Sequence, residues 1–365
     1  MKKILLIFGT RPEAIKMAPL AIKLKKEKNF KTEICLTAQH REMLDQVMET
    51  FRIQANYDLD IMKRGQTLAD ITCEVVVGVQ NVIDACNPDI VLVHGDTTTS
   101  MAAAIAAFYK KIKIGHVEAG LRTYNKYSPY PEEMNRQIVD QLADLFFAPT
   151  IESKYNLINE GKDEANIFVT GNTVIDAMKY TIYEDFSDDV IKWVGESKMI
   201  LITTHRRENI GEPMYNIFEA VNKLTVKYRD IKFVFPVHLN PQVRKIAKEV
   251  IGNNNKVRLI DPLDVEKFHN YMKKAYLIMT DSGGIQEEAP SLGIPVLVLR
   301  DTTERPEGLE TGTLKLVGTR KENIYNSVSK LLDDRKEYDK MSQAHNPYGD
   351  GKACDRIIEA IKKNI

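Results

Sequence analysis

The chain has 365 residues, more than one hydrophobic core usually supports, so two domains are expected. Lysine and arginine together number 51, and aspartate and glutamate together also number 51, so the formal net charge is zero. This balance argues against a nucleic-acid partner or a membrane surface, because both need a basic excess. It does not exclude a local basic pocket for a phosphorylated metabolite.

The cysteines and the N-terminus bear on the compartment. Four scattered cysteines without a C-x-x-C pair predict reduced thiols rather than a zinc site or a disulfide framework. The apolar run Ile4 to Phe8 is too short for a signal peptide and predicts a buried first strand. No apolar stretch approaches the ~20 residues of a membrane span. We therefore expect a cytoplasmic protein.

Short apolar runs alternate with longer amphipathic stretches along the chain. Buried strands are predicted in the first half at residues 3–8, 32–37, 89–94, 113–118 and 145–149. A second series of strands is predicted at residues 199–204, 232–238, 256–260, 276–281 and 295–300. Strands that alternate with helices at this spacing form a parallel sheet with helices on both faces. The sequence therefore predicts an α/β protein with two Rossmann-like domains.

The two series also predict where the domains divide. We expect an N-terminal domain over residues 1–171 and a C-terminal domain over residues 172–351. The last helix, within residues 352–365, is expected to pack back onto the first domain. The default ligand site in such a protein is the cleft between the two domains.

The turn after the first predicted strand has the sequence GTRPEAIK. It is neither a dinucleotide fingerprint nor a P-loop. Arg11 and Lys16 place two cations near a helix start, where the helix dipole disfavours positive charge. Since ligands bind beyond the carboxyl ends of parallel strands, we expect these two side chains to face an anion.

Three carboxylates are expected at neighbouring turns of the same sheet edge. Asp96 follows one predicted strand, Glu118 lies at the end of the next, and Glu132 opens a helix after Pro131. Each by itself has an ordinary explanation as a helix cap or a first-turn acid. Three together predict proton transfer to and from carbon, which requires such positioned groups.

The second series of strands supplies a different set of polar residues. Ser282, Gly283 and Gly284 precede a helix, where bare backbone N–H groups suit a diphosphate. Glu288 lies one turn further on, within reach of a nucleotide ribose, and Arg305 follows the next strand. These residues predict a nucleotide site in the second domain.

Two histidines and an acidic pair complete the candidates. His205 and Arg206 follow the first strand of the second series, and His238 follows the next strand. Asp58 and Asp60 match the D-x-D pattern of metal-dependent glycosyltransferases, but the surrounding YDLDIM alternates like a half-exposed strand. Because no second acidic cluster accompanies that pair, we predict no metal site there.

Eight motifs occur in order: GTRPEAIK, TAQHREML, HGDTTTS, GHVEAGLR, PEEMNR, THRREN, DSGGIQEEAPSLG and RDTTERPE. They closely resemble those of the non-hydrolysing UDP-N-acetylglucosamine 2-epimerases, and the resemblance runs from about residue 3 to the NPYGDG segment at 346–351. It implies a glycosyltransferase-B fold with the ligand held between two domains. It also implies a homodimer, and no metal, nicotinamide or other cofactor.

The resemblance implies roles for individual positions. Asp96, Glu118 and Glu132 resemble the acid/base carboxylates of the family. Its substrate- and phosphate-contacting residues are matched by Arg11, Lys16 and His205, the last of which we also place in the catalytic set. The UDP-binding set is matched by Ser282, Gly283, Gly284, Glu288 and Arg305. Gln39, Arg206 and His238 resemble part of a second nucleotide-sugar site through which family members are activated by their own substrate.

The reaction implied is the reversible epimerisation at carbon 2 of UDP-N-acetylglucosamine to UDP-N-acetylmannosamine. We expect it to proceed by elimination and re-addition of UDP and to supply N-acetylmannosamine-type precursors for surface polysaccharide or glycoconjugates. The sequence leaves open which carboxylate removes the proton and which returns it.

Three alternatives remain at this point. A glycosyltransferase of the same fold would need an acceptor cleft and only one base. A hydrolysing epimerase would release N-acetylmannosamine and UDP. A non-catalytic nucleotide-sugar sensor would not need the carboxylates.

Overall fold

The computed structural model describes residues 1–39, 41–63, 65–303 and 305–365. The chain divides into two compact units, which we call unit 1 (Met1–Tyr180 with Tyr348–Ile365) and unit 2 (Thr181–Pro347). Each unit contains one parallel sheet. The predicted α/β class with two parallel-sheet domains is therefore confirmed. No described helix combines the length and the apolar character that a membrane span requires.

Unit 1 is built on a sheet with the strand order β3-β2-β1-β4-β5-β6-β7. Its strands are β1 (Lys2–Phe8), β2 (Phe30–Leu36), β3 (Tyr57–Asp58), β4 (Ile90–His94), β5 (Lys113–Val117), β6 (Leu145–Ala148) and β7 (Ile167–Val169). The helices between them are α1 (Arg11–Lys26), α2 (Arg41–Thr50), α3 (Leu68–Cys86), α4 (Thr98–Tyr109), α5 (Glu132–Leu142) and α6 (Ile151–Asn159), and α7 (Thr173–Thr181) follows β7.

Unit 2 repeats this plan with the strand order β10-β9-β8-β11-β12-β13. Its strands are β8 (Lys198–Thr203), β9 (Ile231–Pro236), β10 (Val257–Ile260), β11 (Leu277–Thr280), β12 (Val296–Val298) and β13 (Leu314–Leu316). Its helices are α8 (Asp189–Val194), α9 (Glu212–Lys227), α10 (Pro241–Ile251), α11 (Val265–Lys274), α12 (Gly283–Glu288), α13 (Pro306–Glu310), α14 (Lys321–Asp333) and α15 (Arg335–Ser342). The C-terminal helix α16 (Ala353–Asn364) belongs to unit 1.

The central strands are continuous apolar runs because helices cover both faces of each sheet. Residues Ile4 to Phe8 of β1 are at most 1% exposed, and β4 is buried along its whole length. The short strands β3, β7 and β13 lie at the sheet edges and have only two or three residues each. The alternating YDLDIM segment indicated β3, whereas the sequence pattern did not reveal β7 and β13.

The strand order fixes where a ligand can bind in each unit. In unit 1, β1 pairs with β2 on one side and with β4 on the other, so the order reverses between β1 and β4. In unit 2 the corresponding pair is β8 and β11. Open parallel sheets bind ligands outside the carboxyl ends of the strands at such a switch point. The turns after β1, β4, β8 and β11 are therefore the natural places for a site.

The division into units differs slightly from the predicted boundaries at 171/172 and 351/352, because residues through Tyr180 group with unit 1. Asp176 of α7 accepts hydrogen bonds from the backbone N–H groups of Ala353 (3.0 Å) and Cys354 (3.2 Å), which tie α7 to the start of α16. The Cα of Gly349 lies 3.2 Å from where a Cβ on Gly171 would be, so the two chain segments cross at a point that admits no side chain.

Candidate active site

The turn after β1 in unit 1 is packed tightly against β2 and α4. A Cβ on Gly9 would lie 1.8 Å from Oγ1 of Thr37 and 2.9 Å from Oγ1 of Thr99, so only glycine fits there. The two threonine hydroxyls are hydrogen-bonded to each other at 2.9 Å. Thr99 also donates to Oε1 of Gln39 at 3.0 Å, which places Gln39 beside this turn. The backbone at the end of β1 is thus held rigidly.

Glu13 is buried at the centre of this region, and the sequence argument assigned it no role. Its carboxylate accepts backbone N–H groups of Gly9 (3.1 Å) and Thr10 (2.8 Å). It also accepts the hydroxyls of Thr97 (2.7 Å) and Ser100 (2.9 Å) at the start of α4. Burial raises the pKa of Glu13, and these hydrogen bonds oppose that rise. The capping-box pattern T-x-x-E at 10–13 was the signal in the sequence.

Glu118 follows β5 directly and is held by groups from three different segments of unit 1. Its Oε2 forms an ion pair with the ammonium of Lys16 and accepts a hydrogen bond from Nδ2 of Asn172 at 2.9 Å. Its Oε1 lies near the turn after β4, 3.6 Å from where a Cβ on Gly95 would be. Glu118 has a φ of +66°, in the left-handed region that non-glycine residues rarely adopt. Residues in such sparsely populated conformations cluster at functional sites.

His94 at the end of β4 is a third neighbour of Glu118 that the sequence reasoning did not single out. Its Nε2 lies 3.7 Å from Oε2 of Glu118 and has no hydrogen-bond partner among the described residues. Burial lowers the pKa of His94 to about 3, and the nearby charge of Lys16 adds to this effect while Glu118 opposes it. His94 is therefore a neutral imidazole inside the site.

Asp96 lies in the turn after β4 and is held from α5. Arg136 donates to its carboxylate at 2.5 Å, and Nδ2 of Asn135 donates to its backbone carbonyl at 2.9 Å. The Asp96 side chain remains 29% exposed, so one side of the ion pair faces solvent. The structure thus places Asp96 and Glu118 on neighbouring turns, each bound to its own cation.

Glu132 and Glu133 both open α5, but their surroundings differ. Glu133 is fully buried and accepts hydrogen bonds from the backbone of Thr123 and Tyr124, both at 3.0 Å, and from Nε2 of Gln137 at 2.8 Å. Burial raises the pKa of Glu133, but these hydrogen bonds outweigh it and leave the pKa below its usual range. The Glu132 carboxylate is half-buried and makes no hydrogen bond or ion pair with the described residues.

A buried charge network supports the turn that carries Asp96. His116 on β5 contacts Oδ1 of Asp140 at 2.6 Å through Nδ1 and the carbonyl of Gly95 at 2.8 Å through Nε2. Arg122 and the backbone N–H of Gly120 both donate to Oδ2 of Asp140, at 2.7 Å and 3.2 Å. Burial alone would raise the pKa of Asp140, but the interactions with His116 and Arg122 outweigh burial and leave the pKa below its usual value. Asp140 is therefore a carboxylate. The network fixes the backbone on both sides of the site.

In unit 2, the turn after β8 is organised around the buried Asp281. Oδ2 of Asp281 accepts the hydroxyl of Thr204 (2.9 Å), the backbone N–H groups of His205 (2.9 Å) and Arg206 (3.0 Å), and Nδ2 of Asn209 (2.9 Å). Sequence reasoning singled out the residues of this turn but not the aspartate that holds them. The motif DSGG carried the signal, because its aspartate directly follows a buried strand.

The two candidate histidines of unit 2 are in contact with each other. The rings of His205 and His238 stack at a centroid distance of 5.3 Å with an interplanar angle of 13°. Nδ1 of His238 accepts the backbone N–H of Asn240 at 3.1 Å. Partial burial and the neighbouring His205 lower the pKa of His238.

The candidate UDP-binding residues converge at the start of α12. A Cβ on Gly283 would lie 3.0 Å from the guanidinium of Arg305, so glycine permits this close approach. Arg305 forms an ion pair with Glu287, with Nη2 at 2.7 Å and Nε at 2.8 Å from Oε1. Glu288 lies beside His269, whose Nε2 is 3.8 Å from its carboxylate. A Cβ on Gly284 would lie 3.5 Å from the Glu288 carboxylate, and Ser282 is the N-cap residue of α12.

The D-x-D pair is engaged with a cation. Arg41 donates to Asp58 at 2.6 Å and lies within 3.6 Å of Asp60 and 3.2 Å of Asp45. Within the described ranges no group of three or more histidine, cysteine, aspartate or glutamate side chains is arranged to hold a metal ion.

The sequence profile of the family described as UDP-N-acetylglucosamine 2-epimerase matches residues 22–362. The chain belongs to the UDP-N-acetylglucosamine 2-epimerase family. The predicted family and the predicted enzyme class, an isomerase, are therefore confirmed.

Individual members of the family match over nearly the whole chain. The UDP-N-acetylglucosamine 2-epimerase of Bacillus subtilis (strain 168) is 57% identical over 359 residues, which cover 98% of this chain and 94% of that protein. The crystal structure of the Neisseria meningitidis UDP-GlcNAc 2-epimerase bound to UDP-GlcNAc has 50% identity and a TM-score of 0.88, covering 99% of this chain and 100% of that chain. The Methanocaldococcus jannaschii UDP-GlcNAc 2-epimerase in complex with UDP-GlcNAc and UDP has 35% identity and a TM-score of 0.80, with the same coverage. These likenesses confirm the glycosyltransferase-B-like fold.

Within this 2-epimerase family fold, the structure groups the predicted residues by unit. Lys16 and Glu118 are in contact, and Asp96 lies on the adjacent turn, while Arg11 is the first residue of α1. In unit 2, His205 contacts His238, and Gly283 lies against Arg305. Glu13, His94, Asn172, Asp140 and Asp281 are the supporting residues that the sequence reasoning missed.

Proposed function

We propose that this epimerase interconverts UDP-N-acetylglucosamine and UDP-N-acetylmannosamine by eliminating and re-adding UDP, with Asp96, Glu118 and Glu132 as the proton-transfer groups. The observation that carries the proposal is the different pairing of these carboxylates. Lys16 binds Glu118, Arg136 binds Asp96, and the Glu132 carboxylate forms no hydrogen bond or ion pair with the described residues. Carboxylates in unlike environments are what a site with both an acid and a base requires.

The chemistry requires the leaving group to depart first. The hydrogen on carbon 2 is not acidic, because no carbonyl adjoins that carbon within the ring. When the bond from carbon 1 to the UDP oxygen breaks, its electron pair leaves with UDP, and the developing oxocarbenium ion makes the hydrogen removable. A carboxylate then takes the proton, and 2-acetamidoglucal forms with a double bond between carbons 1 and 2. Re-addition of UDP with proton delivery to the opposite face inverts carbon 2.

The departing diphosphate needs positive charge around it. In this proposal Arg11, Lys16 and His205 supply it, together with the Ser282–Gly284 turn. Electrostatic donors of this kind contribute on the order of 10²–10³ each to the rate. The ion pair between Lys16 and Glu118 supports this proposal, because it places a cation that would stabilise the departing diphosphate directly beside a carboxylate that would transfer the proton.

The remaining candidates hold the nucleotide or regulate the enzyme. Glu288 and Arg305 would hold UDP in unit 2. Their positions beside Gly284 and Gly283 at the start of α12 support this assignment. From the family resemblance we also propose that Gln39, Arg206 and His238 contribute to a second nucleotide-sugar site. Titration of activity against substrate concentration tests that second site, since activation by substrate gives a sigmoidal curve and its absence a hyperbolic one.

Assembly, compartment and product use follow from the same resemblance. We propose a homodimer that acts in the cytoplasm and supplies N-acetylmannosamine-type precursors for surface polysaccharide or glycoconjugates. The four cysteines are free thiols, as a reducing compartment favours. Light scattering of the purified protein tests the dimer: the expected mass is twice 41.6 kDa, and a monomer mass would contradict it.

Incubation of the pure protein with UDP-N-acetylglucosamine alone in deuterium oxide tests the mechanism. Enzymes usually turn over at about 1–10³ per second. A carboxylic acid exchanges its proton with solvent far faster than that. The product should therefore carry deuterium at carbon 2, and recovered substrate should acquire it with time. An oxygen label placed between carbon 1 and the diphosphate should scramble into the diphosphate.

Other outcomes identify the alternatives. Epimerised product without deuterium at carbon 2 would remove the proposed role of the three carboxylates. Release of UDP in step with free N-acetylmannosamine would indicate a hydrolysing epimerase. Unchanged substrate would indicate a transferase that lacks its acceptor, or a sensor.

A further inference from the structure

Asp281 has one oxygen that the turn after β8 does not use. All four hydrogen bonds described above fall on Oδ2. The Asp281 side chain is completely shielded from solvent, yet its Oδ1 has no hydrogen-bond partner among the described residues. Buried carboxylate oxygens are almost always hydrogen-bonded in folded proteins. Oδ1 is therefore available to accept a hydrogen bond from a nearby donor.

His205, a residue of the candidate site, carries a suitable donor near this oxygen. Nδ1 of His205 lies 3.5 Å from Oδ1 of Asp281, longer than a hydrogen bond but within the reach of a small ring rotation. Contacts of this kind are often long in a protein without ligand and tighten when substrate binds. The His205 side chain is 43% exposed, so its ring can move.

The second histidine restricts how the ring can move. His238 stacks on one face of His205, which leaves rotation within the ring plane easier than tilting. Because Nδ1 of His238 accepts a backbone N–H, that nitrogen carries no proton and His238 is neutral in this arrangement. Of the two stacked rings, only His205 has a carboxylate oxygen within 4.0 Å of a ring nitrogen in the described structure.

We propose that Asp281 is a positioning residue for His205, with Oδ2 fixing the backbone of residues 204–206 and Oδ1 holding a proton on Nδ1 of the imidazole. The opposite nitrogen, Nε2, is then the one that contacts the diphosphate of the nucleotide sugar. This inference rests on the proposed function for the identity of the ligand. The pairing itself rests only on the geometry of unit 2.

A purely structural role for Asp281 makes a different prediction. In that case the aspartate only anchors the turn, and every substitution that loosens the turn has the same effect on the His205 ring. A positioning role predicts that the location of the imidazole proton depends on Oδ1 specifically. Two substitutions separate these roles, because one alters Oδ1 and the other alters only a donor to Oδ2.

Asp281→Asn keeps the size of the side chain, and its amide oxygen must face the four donors now bound to Oδ2. The amide NH₂ then points at Nδ1 of His205, which has to become an acceptor, so the proton moves to Nε2. Thr204→Val is the matched control, since it removes one donor to Oδ2 and leaves Oδ1 in place.

The readout is the ¹⁵N NMR spectrum of the histidine ring nitrogens in the full-length protein with UDP bound, with the His205 signals assigned by His205→Gln. The expected result is a protonated Nδ1 in the wild type and in Thr204→Val, and an unprotonated Nδ1 in Asp281→Asn. A wild-type ring with an unprotonated Nδ1 overturns the proposal without any variant. So does an Asp281→Asn spectrum that matches the wild type.

Kinetics provide a second measurement. Asp281→Asn should lower kcat on the order of 10²–10³-fold, the loss typical of one electrostatic donor, with a smaller change in KM. The double variant with His205→Gln should be no slower than His205→Gln alone, and a further multiplied loss would contradict the pairing. A protein that shows the proton shift but epimerises nothing contradicts the proposed function and leaves the pairing intact.

Discussion

Nε2 of His94 lies 3.7 Å from the carboxylate of Glu118 in the interior of unit 1. The imidazole is neutral there, because burial lowers its pKa to about 3. Its Nε2 has no hydrogen-bond partner among the described residues and lies beside a carboxylate to which we assign proton transfer. A neutral ring at this point adds no second positive charge beside Lys16.

This histidine should make the stability of the protein depend on pH. An unfolded histidine has a pKa of about 6.5 and takes up a proton below it, whereas folded His94 stays neutral down to about pH 3. The unfolded state therefore binds more protons between these values, and the contribution of His94 to stability is lost as the pH falls from about 6.5 toward 3. The slope from this residue is at most about 1.4 kcal/mol per pH unit. Urea unfolding at pH 5 and pH 7 should show a smaller difference in His94→Gln than in the wild type. An equal difference would mean that His94 is charged in the folded protein.

The two glutamates at the start of α5 should respond oppositely to neutralisation. Glu132→Gln should keep the thermal unfolding midpoint and lose about 10²–10⁴-fold in epimerisation rate, the usual contribution of one acid or base. Glu133→Gln should instead lower stability, because a buried acceptor of several hydrogen bonds loses its charge, at a cost of about 1–3 kcal/mol. NMR assays and thermal unfolding of both variants check this pair. Loss of stability in Glu132→Gln would place that residue in the scaffold.

Binding of UDP should depend on unit 2 and turnover on unit 1. Arg305→Ala and Glu288→Ala should weaken UDP binding, by roughly ten- to a hundredfold if each loses a hydrogen bond to a charged group. Asp96→Asn should bind UDP nearly as the wild type does and lose turnover. Calorimetric titration of UDP into all three variants is the measurement. Equal losses of affinity across the three would refute this division of labour.

Chelation should leave the activity intact. Arg41 occupies the D-x-D pair through its contacts with Asp58 and Asp60, which makes that pair a poor place for a cation. We expect unchanged epimerisation after EDTA treatment and no effect of added nicotinamide nucleotides. Activity that disappeared with EDTA and returned with magnesium or manganese would show that the acidic pair takes part after all.

Several features of this protein are determined by its sequence alone. The alternation of apolar runs with amphipathic stretches specifies two parallel sheets, because a strand covered on both faces must be apolar throughout. Polar residues directly after those strands must lie at the carboxyl edge, where parallel sheets bind ligands. Arg11, Asp96, Glu118, His205 and Ser282 could therefore be identified as candidates without coordinates. The eight motifs in order sufficed to indicate the family.

Only the tertiary structure distinguishes residues of the same type within those turns. Glu132 and Glu133 are adjacent and chemically alike, yet Glu133 is buried and accepts three hydrogen bonds, whereas Glu132 is half-buried and forms no hydrogen bond or ion pair with the described residues. His94 and Asp281 look like ordinary strand-end residues in the sequence, since burial and the partners of each oxygen or nitrogen depend on chain segments far away. Hydrogen-bond pairing and desolvation are properties of the packed fold, and they decide which of the two carboxylates is buried in hydrogen bonds and which is left for the proton transfer that we propose.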